Sequence, residues 1–225
     1  MQSRIFTFIF IIYLIFYVSV SKSQDTSGNC VTFKNLSVSK IKKLDSEIKK
    51  YNEGIYLSRT DLMKIILPEY VTYNPIRNDI EIAFIKFCTL NNIQRFNSIS
   101  FGPFQMQLQF IKNVLENIPM QNINDTVLLN CKNSGYDVLL DNITYLNRSD
   151  IQWKLLVYFE SINSHLYNSS KSIYLNKLID IYNSGKIEHS SSKTYFTKIN
   201  CERKTYVEWC YELYDWVDEN KKGNY

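Results

Sequence analysis

The chain of 225 residues contains a single alanine, Ala83, only six glycines and four prolines. So little glycine leaves no glycine-rich phosphate cradle, and so few turn-formers argue against a loop-rich barrel. Histidine is nearly absent too. His165 and His189 are the only two, and no Cys-x-x-Cys occurs, so no metal-ligand spacing exists and neither metal nor cofactor is expected. Charge of one sign is also lacking: 26 Lys and Arg against 22 Asp and Glu leave a net +4. Without a basic cluster interleaved with aromatics, nucleic acid is not an expected partner. What the chain does have is apolar and aromatic mass. Hydrophobic residues make up 45% and aromatics 15%, enough for a sizeable core and too much for a disordered chain.

One long hydrophobic run stands at the start. Arg4 precedes apolar residues from Ile5 to Val20, interrupted by Thr7 and Ser19, with Ser21 and Ser23 after it. A positive residue, a short apolar stretch and small residues at its end describe a secretory signal peptide over 1–23, cleaved near Ser21–Ser23. The expected product is periplasmic or extracellular, with no stable membrane span after cleavage. Export permits disulfides among Cys30, Cys88, Cys131, Cys201 and Cys210. Cys201 and Cys210 are closest in sequence and would staple a loop to the following helix, whereas Cys88 reads as a buried thiol.

The rest is patterned for a mainly α fold. Residues 24–37 read as a polar, poorly ordered lead, 38–217 as a single domain and 218–225 as a charged tail. Ile41, Leu44, Ile48 and Tyr51 recur at helical spacing. Thr60-Asp61 offers an N-cap to an apolar helix that Pro68 should end or bend, and Asn78-Asp79 offers one to a helix running to about Leu90. The pattern lapses near residues 97–104, where Ser98 to Phe101 alternate and Gly102-Pro103 form a turn, which predicts one short non-helical or β element. Helix resumes from Met106. Residues 119–134 read as polar turns, 150–167 and 171–182 as helices, 186–200 as a loop, and 202–217 as the last helix. On that helix Tyr206, Trp209, Leu213 and Trp216 share an apolar face and read as core. His165 reads as surface, and Asp61, Glu81 and Asp215 as caps or solvated faces.

Three segments are candidates for chemistry: Leu67-Pro-Glu-Tyr70, Ser98-Ile-Ser-Phe-Gly-Pro-Phe-Gln-Met-Gln107, and Ile181-Tyr-Asn-Ser-Gly185 followed by Glu202-Arg-Lys-Thr-Tyr-Val207. In this order they resemble the lytic transglycosylase branch of the lysozyme-like superfamily. That family has a Glu closing a helix, then a Ser-containing turn into Gly-Leu-Met-Gln, then Ala-Tyr-Asn-Ala-Gly, then a helix opening Glu-Thr-x-x-Tyr-Val. The resemblance covers roughly residues 60–217. It departs in one place: where the family carries its Glu, this chain has Phe87 and Cys88. Glu69, 36 residues before Gln105, is the favoured acid because an apolar helix leads to it, and Glu81 is the other candidate.

The resemblance implies a lysozyme-like helical domain that cleaves the β-1,4 glycan of peptidoglycan. Such enzymes use one Glu as acid and then base, while the substrate's acetamido group and 6-hydroxyl act as nucleophiles. Glu69 would be that acid. Gln105 would bind the sugar or position the Glu, and Tyr182 would hydrogen-bond the Glu or the substrate. Asn183 would hold its loop, and Ser98 or Ser100 would contact substrate. The alternative is a non-catalytic descendant that binds cell-wall glycan or an envelope partner. A protonated carboxyl near neutral pH needs an apolar wall, because a free Glu with pKa about 4.3 is almost wholly ionised there.

Overall fold

The computed structural model describes the backbone of residues 28–91, 99–168, 170–184, 194–197 and 202–222, with side chains over 38–91, 99–168, 170–184 and 205–215. The expected signal segment, Ser98 and Cys201 lie outside the described residues. The fold is mainly α. Helix α1 spans Gly28–Ile48. It starts ten residues before Val38, so the polar lead is helical from Gly28 onward.

Helix α2, Arg59–Thr72, begins at Ser58 rather than Thr60. Ser58 and Asp61 form a capping box: the Ser58 hydroxyl accepts from the Asp61 amide at 3.3 Å, and the Asp61 carboxylate accepts from the Ser58 amide at 3.1 Å. Pro68 does not end the helix, which runs another turn. That last turn is held from outside. Lys40 donates to the carbonyls of Val71 and Tyr73 at 2.8 and 2.7 Å, and the Thr72 hydroxyl donates to Pro68 and Glu69 carbonyls at 2.9 and 3.1 Å. Carbonyls left over at a helix end must find such partners. Leu62, Met63, Ile65, Ile66 and Leu67 are fully buried. A helix apolar on all sides lies inside its domain.

Helix α3, Pro75–Leu90, is capped by Asn74, which accepts from Ile76 and Arg77 amides at 3.0 and 3.3 Å, with Pro75 in the first turn. Asn78, expected as the cap, is instead buried inside the helix. A hairpin follows, β1 (Ser100–Phe101) and β2 (Met106–Gln107), with Ser100 opposite Gln107 and Phe101 opposite Met106. It supplies the non-helical element expected near residues 97–104.

Helix α4, Leu108–Asn117, carries its apolar face inward. Its C-terminal end is capped by buried Lys132, whose ammonium donates to the carbonyls of Leu115, Glu116 and Ile118 at 2.7, 2.9 and 2.6 Å. Lys132 closes helix α5, Thr126–Lys132, in a stretch expected as turns. Short helices α6 (Tyr136–Asp141) and α7 (Ile143–Leu146) lead to α8, Ser149–Ile162. A separate 3-10 turn covers Ser164–Leu166 where one continuous helix was expected.

Helix α9 spans Lys171–Ser184. A second antiparallel hairpin then pairs β3 (Thr194–Thr197) with β4 (Glu202–Thr205). The last helix, α10, therefore starts at Tyr206 rather than Glu202 and runs to Lys222, into the expected tail. Helix α2 packs against α1, α9 and α10, which makes it the axis of this assembly.

Cys88, Cys131 and Cys210 are buried free thiols, so Cys210 is not half of a staple to Cys201. No described helix is long and apolar enough to cross a membrane.

Candidate active site

Glu69 sits in the last turn of α2, one residue after Pro68. Its side chain opens into a cavity of about 190 Å³ that Ser100, Gln105, Tyr182 and Asn183 also line. Three segments far apart in sequence, the end of α2, the β1–β2 hairpin and α9, thus bring together five of the six residues named from sequence. The sixth, Ser98, is not described. Met106, Gln107 and Phe110 complete the wall.

Burial pushes the Glu69 carboxyl up to about 7. The phenol of Tyr206, 3.4 Å from Oε1, and the positive Arg77 pull in the opposite direction, while Glu81 adds to the rise. The position helps, since the end of a helix carries the negative pole of its dipole and disfavours an anion. Around neutrality a large share of Glu69 is therefore protonated. Among the described residues, no other acid lines this cavity.

Glu81 is not the solvated residue expected. It is 7% exposed and accepts from Arg77 Nε at 2.7 Å, while its Oε2 is buried without a hydrogen-bond partner. Burial raises its pKa, with Arg77 opposing. Asp61 is likewise buried, inside its capping box and within 2.5 Å of Lys171 Nζ.

The turn that presents Gln105 is held rigidly. Gly102 adopts φ 79° and Gln105 φ 52°, both in the left-handed region. That conformation is easy for glycine and strained for glutamine, and such strain persists only where the surroundings hold it. Three buried side chains do so here. Asn78 accepts from the Gly102 amide at 2.6 Å. Gln152 of α8 accepts from the Phe104 amide at 2.9 Å and donates to the Phe101 carbonyl at 3.0 Å. Tyr182 donates to the Phe104 carbonyl at 2.5 Å. A Cβ on Gly102 would lie 2.0 Å from Gln152 Nε2, so only glycine fits. Gln105 Nε2 donates back to the Gly102 carbonyl at 2.9 Å, folding its side chain over the turn.

Tyr182 therefore differs from the expectation in one respect: its hydroxyl donates to the turn, and it is the Tyr206 hydroxyl that donates to the Glu69 carboxyl. No family model, no curated protein and no solved structure matches this chain. The geometry adds three residues to the site residues named from sequence: Tyr206, Asn78 and Gln152. Tyr206 belongs to the core, at 3% exposed, and its hydroxyl also reaches Glu69. Asn78 lies buried inside α3 and braces the Gly102 turn. Gln152, fully buried, carries its own signal in the sequence, since a lone carboxamide on an otherwise apolar helix face must have partners there. Among the described residues, no group of three or more His, Cys, Asp or Glu is placed to hold a metal ion.

Proposed function

We propose that this chain is an exported, lysozyme-like enzyme of lytic transglycosylase type that cleaves β-1,4 bonds between N-acetylmuramic acid and N-acetylglucosamine in peptidoglycan. The observation that supports this most strongly is Glu69, the one acid among the described residues lining a cavity shared with Ser100, Gln105, Tyr182 and Asn183, with its carboxyl raised to about 7. Glycosidases that act through two carboxylates need the second within roughly 5–10 Å across the bond. A single acid suits a reaction whose nucleophile comes from the substrate.

In that reaction protonated Glu69 gives its proton to the leaving glycosidic oxygen as the bond to the anomeric carbon breaks. The acetamido oxygen of the same sugar supports the positive charge that develops. The Glu69 carboxylate then takes the proton of the 6-hydroxyl as that oxygen bonds to the anomeric carbon. Glu69 ends protonated, no water is consumed, and the product is a 1,6-anhydro sugar. The cavity is below the roughly 300–1,000 Å³ of ordinary ligand sites, so it receives the reacting edge of one sugar while the strand lies outside. Gln105 and Ser100 are positioned to contact that edge.

A second reading, glycan binding without cleavage, is favoured by the closure of the Tyr182 hydroxyl onto Phe104 rather than onto Glu69. Incubation with purified peptidoglycan and mass analysis of the soluble fraction separates the two. Anhydro-muropeptides released by the wild type and not by Glu69→Gln support the enzyme. Sedimentation of the protein with the sacculus and no released fragment supports the binder.

A further inference from the structure

Trp153, whose ring meets Phe104 edge-on at 6.2 Å, backs a second and larger cleft of about 420 Å³. Its volume falls within the range of small-molecule sites. It lies between the segment after α1, the turn before α5 and one face of α8. The charges on the α8 face are already neutralised. Lys154 pairs with Asp125 at 2.8 Å, and Asp150 accepts from two Arg148 nitrogens at 3.0 and 2.8 Å. What faces the space is different in kind. The side chains of Lys50, Asn52 and Asn122 are exposed and hydrogen-bond to no described residue. Asn124 uses only its oxygen, which accepts from Tyr158 at 3.4 Å. Beside these polar groups, Tyr51 and Val157 add partly exposed apolar surface.

Three carboxamides that both donate and accept, set beside an aromatic and an aliphatic surface, match a ligand with hydroxyls on its edge and C–H groups on its faces. A nucleotide or other polyanion would meet Lys50 as the one cation among the described residues here without an acidic partner, and an acyl chain would meet a polar wall. We propose that this cleft is a second saccharide-binding site, separate from the Glu69 cavity, that takes one or two units of an N-acylated amino-sugar chain. The saccharide class comes from the cleft's own chemistry; the choice of an acylated sugar rests on the glycan reading of the Glu69 cavity.

The Trp153 indole N–H donates to the Asn52 carbonyl at 2.9 Å, which makes it a reporter inside the cleft. Chitotetraose and cellotetraose are titrated into the Glu69→Gln protein while that indole resonance is followed by NMR. Chitotetraose should shift it in a saturable way, and an Asn52→Ala/Asn122→Ala double variant of the same protein should weaken that response at least about tenfold. A Ser100→Trp substitution that fills the Glu69 cavity should leave the response in place. An unmoved indole overturns the proposal, as does a response that the double variant retains or that Ser100→Trp abolishes. An equal response to cellotetraose overturns the acylated class. The two readings fail separately: a saturable cleft in a wild-type protein that releases no muropeptide removes the catalytic reading and leaves this one standing.

Discussion

Glu69 is a carboxyl whose environment favours the proton. Its folded pKa of about 7 lies above the unfolded value near 4.5, so folding takes up a proton between those pH values. The sign follows: the stability from this group is full below about pH 4.5 and is lost as pH rises through 7. Glu69→Gln removes that dependence. The variant should match the wild type in acid and exceed it above neutrality by on the order of 2–3 kcal/mol, measured by urea denaturation across pH. Its activity on glycan should fall at least ~10²-fold, because a carboxamide has no proton for the leaving oxygen. Glu81→Gln acts differently. It removes a neighbouring negative charge that raises the Glu69 pKa, so the alkaline limb of the pH–rate profile should move to lower pH. An unmoved limb would show that the two carboxyls are uncoupled.

At the scale of elements, the Gln105 turn and the end of α4 each depend on one buried polar side chain. Gln152→Leu would leave the Phe104 amide and the Phe101 carbonyl without partners, at about 1–3 kcal/mol for each buried group. Chemical denaturation should show a loss of that order, and glycan cleavage should fall further than stability because Gln105 would leave its strained conformation. Lys132→Met would likewise strip three carbonyls of their donor and should cost about 2 kcal/mol or more with little effect on chemistry. These devices explain where the sequence was hard to read. Ser-x-x-Asp at 58–61 and Asn-Pro at 74–75 form the caps, whereas Thr60-Asp61 and Asn78-Asp79, the polar pairs directly before the apolar runs, lie inside the helices. Pro68 reads as a stop, but Lys40, thirty-one residues away from Val71, holds the turn beyond it. A local pattern does not register so distant a donor. The β3–β4 pairing is equally invisible to periodicity, since each strand has four residues and β4 is wholly polar.

For the whole molecule, the mainly α character was legible from apolar spacing, and so was the meeting of residues 69, 100, 105, 182 and 183 in one cavity. Those residues stand out through the order of short motifs rather than through their spacing. Their electrostatics were not legible. Burial of Glu81, the reach of Tyr206 and the bracing by Asn78 and Gln152 all arise from contacts between elements far apart in sequence. The central claim is that this assembly keeps one carboxyl protonated near neutral pH at the mouth of a small cavity. The most direct measurement is a ¹³C NMR titration of the glutamate side-chain carboxyls, with the Glu69 signal identified by its absence in Glu69→Gln. The account predicts a midpoint near 7 for that signal. A midpoint near the ordinary 4.5 would contradict it.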